Sequence, residues 1–205
     1  MMKIFAGLFL ALAVATPVNA EVRDPNGNQP MKVMRVQLGK ENYSFNLGYG
    51  VEDNAPMVCF RQGSLVLDAG ASKTRINFPT LNPVPLKHFN LKAGPTDIKV
   101  NGLGNSNFED FSFEGGAGRY FLDFGGDYKK KGKVKLLLGI GEVTVVVPKK
   151  IGIRLVANGS LLSNLSLPDF IKTGKDRSPN YGTADGTIDF DIHCGLGSSL
   201  QLRWR

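Results

Sequence analysis

Phe111-Ser112-Phe113-Glu114-Gly115-Gly116-Ala117-Gly118-Arg119-Tyr120-Phe121-Leu122-Asp123-Phe124 is one copy of a pattern that runs through most of the chain. Large apolar residues stand five and three positions before Gly116, and apolar alternation resumes four positions after it. The same arrangement surrounds Gly70, Gly94, Gly139 and Gly195. Its other incoming pairs are Leu65 and Leu67, Phe89 and Leu91, Val134 and Leu136, and Phe190 and Ile192. The glycines fall 24, 22 and 23 residues apart, and a last interval of 56 leaves room for a degenerate unit in which Ile153 and Leu155 lead into Asn158. Asparagine is the usual substitute where a turn needs positive φ. After Gly195 the outgoing residues Leu200, Leu202 and Trp204 come one position late, which places a bulge at Ser198 and Ser199.

Period-two alternation on both sides of a bend gives strands with one buried face. The opposite face carries Lys92, Asp97, Lys99, Arg119, Asp123, Lys135 and Glu142. Two strands per short repeat fit a stacked all-β solenoid in which equivalent strands lie parallel and like side chains form ladders. An up-and-down barrel is the rival. A membrane barrel needs aromatic girdles and an apolar outer band, whereas this chain has one tryptophan, five tyrosines and charged strand faces.

Composition bounds the rest. With 205 residues, 42% hydrophobic and 21% charged, the chain has the material for one medium folded domain. Two histidines and two cysteines exclude a four-thiolate cluster and most zinc sites, and no cofactor is implied. Lys3, the apolar run Ile4 to Val14 and the small residues of Val18-Asn19-Ala20 read as an export signal over residues 1–20, cleaved after Ala20. The run is too short to span a bilayer, no second hydrophobic span follows, and the expected location is periplasmic or extracellular. Residues 21–62 read as an extension and β cap, with strands at Val33 to Leu38, Tyr43 to Leu47 and Met57 to Phe60; residues 63–205 form the repeat domain. In an oxidising compartment Cys59 and Cys194 either form a disulfide or remain free buried thiols.

The run Asn107 to Gly118, the strand Tyr120 to Phe124, Leu138-Gly139-Ile140-Gly141-Glu142 with Val143 to Pro148, and the closing Gly195-Leu196-Gly197 resemble the bacterial toast-rack family. That family is related to LiaF-like domains of cell-wall-active antibiotic response proteins and to adhesins with similar glycine-punctuated strands. The resemblance implies a single-domain right-handed β-solenoid in the cell envelope, with a role in adhesion or envelope stress and no catalytic residues to transfer.

Chemical motifs are sparse. Gly139-Ile140-Gly141 lacks the third glycine and the helix of a dinucleotide site. Asp185, Asp189 and Asp191 do not have calcium-loop spacing and read as solvent-facing. His88 and His193 lie in distant units, and no serine has the setting of a hydrolase triad. Lys129, Lys130, Lys131 and Lys133 with Lys149 and Lys150 occupy connections of adjacent units, so a stack brings them to one edge as a basic strip. This strip either discourages edge pairing or binds an anionic glycan, a lipid head group or an acidic envelope protein. A net charge of +7 is too small to point to nucleic acid. The expectation is an exported, non-enzymatic, adhesin-like or stress-related binding module of the envelope. A glycan-active enzyme on a β-helical scaffold and a structural oligomerising subunit are the alternatives.

Overall fold

A computed structural model describes residues 14–17, 22–23, 30–38, 43–50, 56–160 and 162–205. The leader and its cleavage point lie outside the described residues except for β1 (Val14–Pro17), which pairs antiparallel with β3. The chain continues through β2 (Val22–Arg23), β3 (Pro30–Leu38), β4 (Tyr43–Gly50) and the hairpin β5 (Met57–Arg61) and β6 (Ser64–Asp68). It then enters the repeats: β7 (Thr74–Asn77), β8 (Leu86–Ala93), β9 (Thr96–Asn101), β10 (Phe108–Asp123) and β11 (Lys131–Val147). β12 (Gly152–Gly159), β13 (Asn164–Ser166), a four-residue helix α1 (Asp169–Lys172), β14 (Thr187–Cys194) and β15 (Ser198–Trp204) complete it. The fold is nearly all-β, in one sheet that does not close on itself.

Copies of the repeat run parallel. Leu65 faces Phe89, Phe89 faces Phe111, Phe111 faces Val134 and Val134 faces Phe190 across successive strands. On the far side of the glycine corner, Ile76 faces Val100, Val100 faces Leu122, Leu122 faces Val145 and Val145 faces Leu202. Adjacent units therefore do not form the antiparallel hairpins of an up-and-down barrel. Incoming strands make a first layer, outgoing strands a second, and β10 and β11 bend through the corner without a break, so each contributes to both layers. The ladder residues lie between the layers, most of them 0–2% exposed. The N-terminal strands extend the layers with antiparallel pairs: β5 adds to β6, and β4, with β3 beyond it, adds to β7.

Three details differ from the sequence reading. The degenerate unit does not precede the last one in space. β14 lies between β11 and β12, and β15 between β11 and β13, so the C-terminal unit is inserted and the degenerate unit ends the stack. Asn158 takes no special turn conformation but sits within β12 opposite His193. Ser198 and Ser199 pair regularly with Gly141 and Glu142; the additional residue lies in the preceding Gly195 to Gly197 turn, where Gly197 has φ 72°.

Opposite the glycine corner, the connections are tied together by asparagines. Asn105 Nδ2 donates to the Phe78 carbonyl at 3.0 Å, and its Oδ1 accepts from the Asp127 amide at 3.0 Å. Asn107 Nδ2 donates to the Asn82 carbonyl at 2.9 Å, while Asn82 Oδ1 accepts from the Ser44 amide at 2.8 Å. These bonds satisfy backbone groups that the loops leave outside the strand ladders.

Candidate functional site

The lysines of the expected strip divide between this asparagine edge and the outer face of the first layer. Lys129 Nζ and Lys150 Nζ, from successive connections, approach the two oxygens of Asp127 at 3.0 and 3.9 Å. Lys130 donates to the Asn107 carbonyl at 3.3 Å, and burial lowers its pKa. Lys149 is exposed beside them, its backbone bonded to Arg205 and Asn180. Lys131 turns toward Asp189 at 4.0 Å. Lys133 points outward from β11 and lines a groove on the first layer with Lys135 and Arg154. The six residues thus form a bent basic border, interrupted at Asp127 and Asp189, rather than one straight strip.

The groove beside that border has a volume of about 540 Å³. Its floor is a set of cross-strand rows in which charges alternate. His88, Asp110, Lys133, Asp189 and Arg154 are successive neighbours in one row; Lys135 and Asp191 face each other in the next. Opposite charges directly across strands stabilise the register that brings them together. The His88 to Asp110 distance is 3.4 Å, Lys92 to Glu114 is 3.7 Å and His193 to Asp191 is 3.1 Å. The two histidines sit three strands apart, each beside its own aspartate.

Two carboxylates depart from simple exposure. Asp189 is only 12% exposed: Tyr181 donates to it at 2.6 Å and Arg154 at 3.2 Å. Burial pushes its carboxyl up, but hydrogen bonds from Tyr181 and Arg154, helped by the charges of Arg154 and Lys131, outweigh this and hold it below the usual range. Asp123 is buried, accepting from Arg205 at 2.9 Å and from the Gly125 amide at 2.9 Å. Alternation predicts both to face outward, which they do; Arg205 from the C-terminal end then covers Asp123, and Tyr181 of the preceding connection, with Arg154, covers Asp189.

A third feature, a trough of about 710 Å³, follows the glycine corner past Gly94, Gly116, Gly139 and Gly195. Cys194 lies in its wall. Both cysteines are free, so no disulfide joins them, and of the two thiols expected to be buried only Cys194 is; Cys59 is exposed. Five strand steps separate β5 from β14, roughly 24 Å at the usual strand spacing. That is far beyond the ~7 Å Cα limit for a bridge.

This arrangement of strands has a solved counterpart. The crystal structure of a "putative cell adhesion protein" from Clostridium sporogenes is 21% identical, with 87% of this chain and 85% of that chain covered at a TM-score of 0.56. The likeness shows a shared fold. No family model and no curated protein matches the sequence. Among the described residues, no helix is long and apolar enough to cross a membrane, and no cluster of metal-ligating side chains is present.

The alternating rows were legible only by writing the repeats beneath one another and reading outward-facing columns, after which Lys92 with Glu114 and Asp110 with Lys133 stand out. Nothing local marks Tyr181 as the cover of Asp189.

Proposed function

We propose that the protein is an exported, non-enzymatic binding module of the cell envelope. In this reading the parallel stack is a right-handed β-solenoid of the toast-rack type, and its lysine border holds an anionic envelope polymer. The observation that carries the proposal is the convergence of Lys129 and Lys150 on one carboxylate, Asp127, with Lys130 and Lys149 beside them. Asp127, with Glu109 acting on Lys130, does not balance the four ammonium groups, so the edge attracts polyanions. An adhesive role fits the solved counterpart's description.

A hydrolytic reading on the same scaffold needs one carboxylic acid with a raised pKa beside a second carboxylate. Asp189, in the groove, is held in the opposite direction and so does not supply that acid.

Co-sedimentation with a purified anionic cell-wall polymer tests it. The wild-type protein is expected to bind, more weakly as salt rises. Combined Lys129→Glu, Lys130→Glu and Lys131→Glu substitution is expected to abolish binding. Because it sets carboxylates beside Asp127 and Asp189 and removes the Lys130 hydrogen bond, thermal melting establishes that the variant is folded, and Lys129→Gln with Lys150→Gln is the milder second variant, expected to weaken binding. Unchanged affinity in the triple variant overturns the proposal.

A further inference from the structure

The groove on the outer face of the first layer, about 540 Å³ in volume, is of a size that takes a small ligand. Its charges balance: Lys133, Lys135 and Arg154 line it together with Asp110, Asp189 and Asp191. They are not equally available. Asp189 is committed to Tyr181 and Arg154, whereas the side chains of Asp110 and Asp191 are 49% and 53% exposed. Both of these turn away from the lysines they face. Asp110, opposite Lys133, approaches His88 at 3.4 Å, and Asp191, opposite Lys135, approaches His193 at 3.1 Å. Each lysine therefore enters the groove beside a carboxylate rather than bonded to it.

Lys133 and Lys135 lie two residues apart on β11, about 6.6 Å along the strand, a separation at which two ammonium groups flank one tetrahedral anion. The row through Lys135 continues in both directions. Ser112 and, beyond it, Asn90 stand on one side; Asp191 and then Val156, 42% exposed, stand on the other. Across the strands the order is amide, hydroxyl, cation, carboxylate and apolar side chain, with about 4.8 Å between neighbours. A polyanion sets its second charge against Asp110 or Asp191, and a simple amine meets the two lysines. The ligand that matches carries one anionic group, an ammonium close to it on one side and a hydroxylated carrier on the other.

We infer that this groove binds a phosphate ester of an amino alcohol, with the phosphate between Lys133 and Lys135, the ammonium on Asp191 and the esterified carrier on Ser112 and Asn90. Val156 closes the groove beside the ammonium. The site uses none of the four lysines around Asp127, so it stands or falls independently of the function proposed above.

Calorimetric titration with glycerophosphoethanolamine, glycerol 3-phosphate and ethanolamine tests the assignment. Glycerophosphoethanolamine is expected to bind more tightly than either of the others. Lys133→Gln with Lys135→Gln is expected to weaken it about tenfold or more, the scale of losing charge-assisted hydrogen bonds. Asp191→Asn is expected to separate the two halves of the ligand, weakening glycerophosphoethanolamine while glycerol 3-phosphate binds equally or more tightly. This variant, conservative in shape, also supplies the test should the double lysine substitution unfold, as judged by thermal melting. Lys129→Gln with Lys150→Gln is expected to leave glycerophosphoethanolamine binding intact. Where the soluble ester binds, co-sedimentation with phosphatidylethanolamine vesicles identifies the source as a lipid head group, and its absence identifies an ester carried on a glycan or other soluble alcohol. Absence of glycerophosphoethanolamine binding overturns the inference, as do wild-type affinity in folded variants of Lys133, Lys135 or Asp191, glycerol 3-phosphate binding as tight as that of the diester, or loss of binding in the Lys129 and Lys150 variant.

Discussion

A Cβ added at Gly94 would stand 2.6 Å from the Gly70 carbonyl oxygen, one at Gly139 2.6 Å from that of Gly116, and one at Gly195 2.6 Å from that of Gly139. At these three corners the backbone approaches its neighbour closely, and it is this approach rather than a positive φ that requires glycine; Gly70, at the first corner, has open space and φ 54° instead. Gly94→Ala is expected to destabilise the protein by about 1–3 kcal/mol, the usual range for overpacking without room to relax. Gly182, which has no atom within 4 Å of an added Cβ, serves as the control, and Gly182→Ala should leave the urea midpoint nearly unchanged. Asp189 gives a second residue-level outcome. Its folded pKa is depressed, so its stabilisation is present above the unfolded value of about 4 and is lost as pH falls through the lower folded value. Urea midpoints measured between about pH 5 and pH 2 should fall less steeply in Asp189→Asn than in wild type. At neutral pH that variant should be weaker by about 1–2 kcal/mol, from charged hydrogen bonds to Tyr181 and Arg154 reduced to neutral ones.

The elements are joined by a spine of rings. Phe45 to Phe78, Phe78 to Phe89, Phe89 to Phe111, Phe111 to Phe124 and Phe124 to Phe190 have centroid separations of 5.5, 5.9, 5.0, 6.0 and 5.1 Å. Because Phe111 is 1% exposed and central in that series, Phe111→Ala should cost about 3–5 kcal/mol, measured by chemical denaturation. Removing one link of the opposite edge, Asn105→Ala, should cost less, about 1–2 kcal/mol, since it releases hydrogen bonds rather than opening a cavity. One link of the spine was readable in advance, because a parallel stack sets equivalent repeat positions side by side; the other four join non-equivalent positions. Phe89 and Phe111 were aligned by their distance from Gly94 and Gly116, and the register follows that alignment. The asparagine edge was not readable, since Asn82, Asn105 and Asn107 lie in connections of unequal length with no shared pattern. Nor were the covers over Asp123 and Asp189: alternation assigns a residue to a face, and only the tertiary path reveals that Arg205 and Tyr181 return to close over it. The lysine border was half legible. Adjacent connections do bring Lys129 and Lys150 together, but strand parity sends Lys133 to the outer face and toward a different set of partners.

At the scale of the molecule, the order of units in space differs from their order along the chain, and this has a consequence for assembly. Local pattern could not reveal it, because Ile153 and Leu155 offer the same apolar pair as any other unit and would fit beside β11 as well as beside β14. In the folded protein β12 has no strand-pairing contact with β11; its ladder is made to β14, residue by residue from Gly152 with Thr187 to Gly159 with Cys194. The segment from Asp176 to Ser178 closes its other edge, with the Leu155 amide donating to the Asp176 carbonyl at 2.8 Å and the Ser178 amide to the Ile153 carbonyl at 2.8 Å. The terminal unit is thus held by strands synthesised after it, and that long-range pairing must close before either side of β12 is secure. A chain ending after Asp185, which lacks β14 and β15, is therefore expected to gain nothing from retaining β12. By hydrogen exchange, the amides of Gly152–Gly159 should exchange freely in it, and its urea midpoint should match that of a chain ending after Lys150. In a stack whose units followed chain order, the longer truncation would instead keep one more complete unit, protect those amides and unfold at higher urea. Protection of Gly152–Gly159 without β14 would mean that β12 can take the edge of β11 unaided, and that the insertion reflects competition between two strands rather than a dependence of one on the other.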